Sequence, residues 1–213
     1  MQKSTDLRFL KKILTDIEIE QVRCASEPDR AIWSFWACKE AAYKVVQKQT
    51  GDAAFVPRRW SVHFRHPLPV MEPNGLHLAC ARPADQPPPV FAAGDVAISE
   101  KQVIPVSLFS SSSYVHCLAA DQSGFLDKAV WRVEEKPAGC DQKEMDSSVF
   151  VRSCLVSALS APLQADQHQI KIIRAPRKGG ELGPPAVYLN DIRTDIDISL
   201  SHDGRFAAYA FLT

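Results

Sequence analysis

The chain has 213 residues, 46% of them hydrophobic and 23% charged, the proportions of a globular protein with a buried core. Twenty-five basic residues balance twenty-five acidic ones, which excludes the basic excess of a general nucleic-acid or membrane-surface binder and makes any anion site local. No run approaches the roughly eighteen apolar residues of a membrane span, and the first residues lack the apolar core of a signal peptide. The expectation is therefore a cytoplasmic protein with reduced thiols at Cys24, Cys38, Cys80, Cys117, Cys140 and Cys154. His63-x-x-His66 and His77-x-x-Cys80 lack the second pair that a tetrahedral zinc site needs.

Apolar residues at Leu7, Leu10, Ile13, Leu14, Ile17 and Val22 predict a helix over 7–24. Asp29 is the predicted cap of a second helix over 30–49, which Gly51 closes. Trp33, Phe35 and Trp36 make it the best core candidate. Lys39, Glu40 and Lys44 interrupt its apolar character, and charges in such a helix are costly unless paired or bound. Glu40 and Lys44 are four apart and share a helical face. They form either a helix-stabilising ion pair or a carboxylate and ammonium that together hold a metal ion and the phosphate it binds.

Alternation predicts strands over 59–64 and 76–81, and four prolines within 82–89 exclude a central strand there. Strands over 97–110 and 114–120 flank a serine-rich turn. Residues 134–147 are polar and linker-like. A helix over 148–159 follows, then strands over 169–174, 186–189, 196–199 and 206–212, with a turn at Arg177-Lys178-Gly179-Gly180.

This order contains a repeat. Ile104-Pro105-Val106-Ser107-Leu108 resembles Ile196-Asp197-Ile198-Ser199-Leu200 at an offset of ninety-two residues, which holds through Tyr114 and Phe206. The expected architecture is α+β, two similar halves forming a pseudo-dimer, each a helix packed on a small antiparallel sheet. The halves are placed at 1–125 and 145–213, joined by a linker at 126–144. Only the first carries Lys39-Glu40-x-x-x-Lys44, and only the second carries Ser201-His202-Asp203-Gly204-Arg205, where the first has Ser110 to Ser113. That asymmetry fits one active site between the halves, its twin having decayed.

Trp36-Ala37-Cys38-Lys39-Glu40-Ala41-Ala42-Tyr43-Lys44 resembles the W-x-x-KEA-x-x-K signature of the 4′-phosphopantetheinyl transferases. Ser199-Leu200-Ser201-His202 resembles their S-x-SH segment, residues 8–15 look like the helix before the KEA helix, and a Gly183-Pro184 turn also fits. The motif order is that of the short acyl-carrier-protein synthases. The length is similar to that of the larger, surfactin-synthetase-activating type.

The resemblance implies transfer of 4′-phosphopantetheine from coenzyme A to a serine of an apo acyl or peptidyl carrier protein, with Mg2+ as cofactor. Glu40 is then the metal ligand and, with Lys44, the catalytic pair. Lys44, Ser201, His202, Arg205, Gly183 and Pro184 bind coenzyme A. The family opens with a strand bearing Gly-x-Asp, whose aspartate is a second metal ligand. That strand has no counterpart before Leu7, and Asp6 and Asp203 are the carboxylates that could replace it. The gap sets an alternative beside the enzyme: a non-catalytic member that binds coenzyme A or a carrier protein. No nucleic acid or membrane partner is implied, and the chain is expected to be a monomeric pseudo-dimer.

Overall fold

The computed structural model describes residues 3–51, 54–66, 68, 91–137, 146–176 and 182–213. The predicted strand over 76–81, the proline-rich 82–89 and the turn at 177–180 lie outside the described residues. The chain divides into two compact units, Met1–Asp127 and Lys128–Thr213. Both are mixed helix and antiparallel sheet, which is the α+β class expected.

In the first unit, the single helix expected over 7–24 is two: α1, Leu7–Ile13, and α2, Asp16–Cys24. The break is a capping box. The Glu18 amide donates to Thr15 Oγ1 at 3.2 Å, and the Thr15 amide donates to Glu18 Oε2 at 2.8 Å. Apolar spacing runs on through this break, so periodicity alone does not reveal it.

Helix α3 spans Pro28–Thr50 and ends at Gly51, whose φ of 82° suits the residue without a Cβ. Asp29 is not its cap. Glu27 holds that position with Pro28 at the first turn, while Asp29 accepts the Lys3 and Ser4 amides at 2.9 and 2.8 Å.

After a 3-10 turn at Pro57–Arg59 come β1 (Ser61–Phe64), β2 (Ala92–Ser99), β3 (Gln102–Ser110) and β4 (Val115–Ala119), an antiparallel meander in sequence order. The strand expected over 97–110 is thus the end of β2, a turn at Glu100 and Lys101, and β3. Gly94 is required where β1 meets β2, because a Cβ there would lie 2.5 Å from the His63 carbonyl oxygen. A short helix, α4, follows at Ser123–Leu126.

The core of this unit joins Leu10, Ile13 and Leu14 to Ile32, Phe35 and Val46 of α3 and to Val62, Val96, Ile104 and Leu108 of the sheet. Of the three aromatics assigned to it, only Phe35 is buried. Trp33 is 39% exposed and lies against Phe9, and Trp36 is half-buried against Phe55.

Lys39 lies in the middle of this core with no exposed surface. Its Nζ donates to Glu18 Oε2 at 2.5 Å and to the Ile13 carbonyl at 3.0 Å. Glu18 Oε1 accepts the Val62 amide at 2.9 Å. Burial pulls the Lys39 pKa below its ordinary value, while Glu18 opposes that shift.

The second unit holds β5 (Val130–Glu135), α5 (Ser147–Leu163), β6 (Ile170–Pro176), β7 (Leu182–Leu189), β8 (Ile192–Arg193), β9 (Asp197–Asp203) and β10 (Phe206–Leu212). One sheet has the order β5-β10-β9 and the other β6-β7-β8. Val151, Leu155 and Leu159 stripe one face of α5 and pack with Ile170, Val187, Ile198, Tyr209 and Phe211. Strand β5 corrects the linker expected over 126–144: Val130 to Glu135 pair with Phe211 to Phe206.

The repeat extends to hydrogen-bond register. Ser107 opposes Leu118 in the first unit and Ser199 opposes Ala210 in the second; Ser110 opposes Val115 as His202 opposes Ala207. Each second pair is the first moved by ninety-two residues, so the β3–β4 and β9–β10 hairpins are built alike.

Removing one partner of a buried ion pair strands the other. Lys39→Met should lower stability by about 3–5 kcal/mol in urea unfolding. Adding Glu18→Gln should restore part of that loss, so the double variant is more stable than the sum of the two singles. Additive losses would contradict the pairing.

Candidate functional site

Successive helical residues are turned by about 100°, so α3 sends Lys39 one way and Glu40 and Lys44 another. Lys39 points into the core and has no exposed surface. Glu40 and Lys44 lie one turn apart on an accessible face, side chains 41% and 30% exposed, with Lys44 Nζ at 3.2 Å from Glu40 Oε1. Trp36 stands one turn before Glu40. It begins an aromatic group in which Phe55 meets Trp36, Tyr43 and Trp60 with ring centroids 5.5, 4.8 and 5.5 Å apart.

The N-terminal end of α3 is tied to the serine turn after β3. Arg30 Nη1 donates to Ser110 Oγ at 2.6 Å and to the Ser111 carbonyl at 2.5 Å. Ser111 Oγ accepts the Ser113 and Tyr114 amides, both at 3.1 Å. On β4, burial and then the positive field of Lys44 push the His116 pKa from 6.5 to about 4. Burial keeps His116 neutral, and Lys44 adds to that preference.

In the second unit, Ser201, His202 and Arg205 lie together on the β9–β10 hairpin. Ser201 and His202 oppose Ala208 and Ala207, and the His202 ring is exposed. Gly204 turns the chain with φ 52°. Arg205 Nε lies 3.0 Å from Glu135 Oε1, and its guanidinium sits 5.0 Å over the Phe206 ring. Gly183 and Pro184 form no turn. They belong to β7, where the Gly183 carbonyl accepts Arg174 Nε at 2.7 Å. The prolines at 184 and 185 favour extended backbone, and among the described residues β8 pairs with β7 only at Tyr188 and Leu189, so both prolines lie outside the three-stranded part of the sheet.

Asp6 caps α1, accepting the Phe9 amide at 2.9 Å, and Asp203 is exposed at the end of β9. Among the described residues, no group of three or more His, Cys, Asp or Glu side chains could hold a metal ion. Glu40 still fits magnesium as a single carboxylate, because that ion needs only one or two protein ligands and takes the rest from water and phosphate. The residues that sequence reasoning missed are Glu18, Arg30 and His116. For Glu18 alone a signal existed, the Thr15-x-x-Glu18 capping box.

Residues 1–71 match the family model for the 4′-phosphopantetheinyl transferase superfamily, a third of the 213-residue chain. The match includes α1, α2, α3 and β1, and with them Lys39, Glu40 and Lys44. No curated protein and no solved structure matches the chain.

A histidine held neutral stabilises the fold fully above its unfolded pKa and loses that contribution as pH falls toward its folded one. His116 should therefore cost up to about 3 kcal/mol of stability between pH 6.5 and about 4. Urea unfolding across that range should show the loss, and His116→Gln should flatten that part of the pH profile. An unchanged profile would place His116 in contact with water.

Proposed function

We propose that the chain transfers 4′-phosphopantetheine from coenzyme A to the serine hydroxyl of an apo acyl or peptidyl carrier protein, in the manner of a holo-acyl-carrier-protein synthase. One observation carries the reading: residues 1–71 match the superfamily, and within them Glu40 and Lys44 share an accessible face while Lys39 is committed to the core. On this reading the motif's first lysine is structural, and Glu40 and Lys44 carry the chemistry.

In the proposed reaction the serine oxygen forms a bond to the β-phosphorus of coenzyme A and gives up its proton to solvent water, the bond from that phosphorus to the bridging oxygen breaks, and 3′,5′-ADP leaves. Such a displacement needs positioning and charge neutralisation more than covalent help from the protein. Glu40 would hold Mg2+, which when bound supplies charge for the pyrophosphate and a template for its oxygens. Lys44 would release Glu40 and contact the pyrophosphate as a point charge. Ser201 and His202 would bind the nucleotide end of coenzyme A, with Arg205 contributing its guanidinium. Gly183 and Pro184 would serve through the β7 backbone rather than as a turn.

A second reading, binding of coenzyme A or a carrier without transfer, is favoured by one feature. The Glu40–Lys44 ion pair is complete by itself at 3.2 Å.

Incubation with coenzyme A, Mg2+ and an apo carrier protein, followed by intact mass of the carrier, separates the two. Transfer adds one phosphopantetheine group; coenzyme A bound with no mass gain supports the second reading. Glu40→Gln should lower the transfer rate at least about 100-fold. It should change stability by less than about 1 kcal/mol, because the pair it breaks is exposed. Full activity in that variant would remove Glu40 from the site.

A further inference from the structure

Two thiols that the proposed reaction does not use lie in contact inside the first unit. Cys38 in α3 and Cys117 in β4 are both free and buried, and Cys117 Sγ donates to Cys38 Sγ at 3.6 Å. They are 79 residues apart, so no sequence spacing announces them. Ala42 of α3 is fully buried beside Cys38, and Ala41 and Ala119 pack against the same core. These small side chains let the helix lie close to the strand.

A disulfide needs its sulfurs at about 2.05 Å, so closure requires an approach of about 1.5 Å. Among the described residues, strand β4 is the last of its sheet and pairs only with β3. An end strand is released by local opening at lower cost than a central one. Burial, and the contact with Cys38, hold the Cys117 thiol well above its ordinary pKa, while Lys44 opposes that shift.

We propose that Cys38 and Cys117 form a reversible dithiol–disulfide site whose oxidant is a peroxide. In the first step one thiolate attacks the peroxide, its sulfur becomes a sulfenic acid and one water (or alcohol) leaves. In the second, the other thiolate attacks that sulfur, the S–S bond forms and a second water leaves. The two thiols give up two electrons and two protons, which reduce the O–O bond. The link ties α3 to β4 two residues before Glu40, so the face that carries Glu40 and Lys44 would feel the redox state. The proposal rests on the thiol geometry and stands whether or not the transferase reading holds.

The test uses the full chain with Cys24, Cys80, Cys140 and Cys154 changed to serine, and the wild-type chain beside it should that variant fold poorly. Each is treated with a few equivalents of hydrogen peroxide, quenched in acid, alkylated with iodoacetamide in denaturant and mapped by peptide mass. The expected result is a peptide joining Cys38 to Cys117, both protected from alkylation and both recovered after dithiothreitol. Cys38→Ser should abolish it. The same treatment in denaturant should lower the yield of the link about tenfold or more, because proximity is then lost. Equal yields in the folded and unfolded chain, alkylation of both cysteines after peroxide, or separate oxidation to sulfinic acids would each overturn the proposal.

Discussion

The buried ion pair of Lys39 and Glu18 is the interaction on which the first unit depends. One carboxylate and one ammonium join four segments: the end of α1 through the Ile13 carbonyl, the start of α2 through the Thr15 amide, the middle of α3, and β1 through the Val62 amide. Among the described residues, each of these backbone groups sits where regular secondary structure offers it no partner. The Ile13 carbonyl is at a helix end, the Thr15 amide at a cap, and β1 is the first strand of its sheet. The pair therefore answers the cost of burying charge by satisfying backbone polarity that would otherwise be stranded.

The same pair fixes the rotation of α3. With Lys39 held inward, the next residue and the one a turn later must face away from it, and they are Glu40 and Lys44. A mobile or solvated Lys39 would leave the helix free to roll and the Glu40 carboxylate without a fixed direction. The three charges of one motif thus divide between a structural and an accessible role. The division follows from helical geometry and from where Glu18 sits, 21 residues earlier.

The parts legible in the sequence are those written in local chemistry. Helix α3 with its closing Gly51, the β10 strand and the ninety-two-residue repeat follow from periodicity and turn residues, and the repeat holds down to hydrogen-bond register. The accessible pair of Glu40 and Lys44 was legible from i,i+4 spacing. What was not legible has long-range causes or competing local ones. Leu14 and Ile17 continue the apolar spacing across the Thr15 break. Strand β5 hides its Val130, Trp131 and Val133 among charges that read as a linker until β10 pairs with it. Trp33 has the composition of a core residue and the position of a surface one. The burial of Lys39 depends on a partner that no window around α3 contains.

Amide hydrogen exchange at Val62 and Thr15 tests the Lys39–Glu18 frame most directly, because both amides donate to the Glu18 carboxylate. In the native chain both should exchange only with global unfolding. Glu18→Ala should release both, and Glu40→Gln should leave both protected. Fast exchange at Val62 in the native chain, or protection that survives Glu18→Ala, would contradict the account.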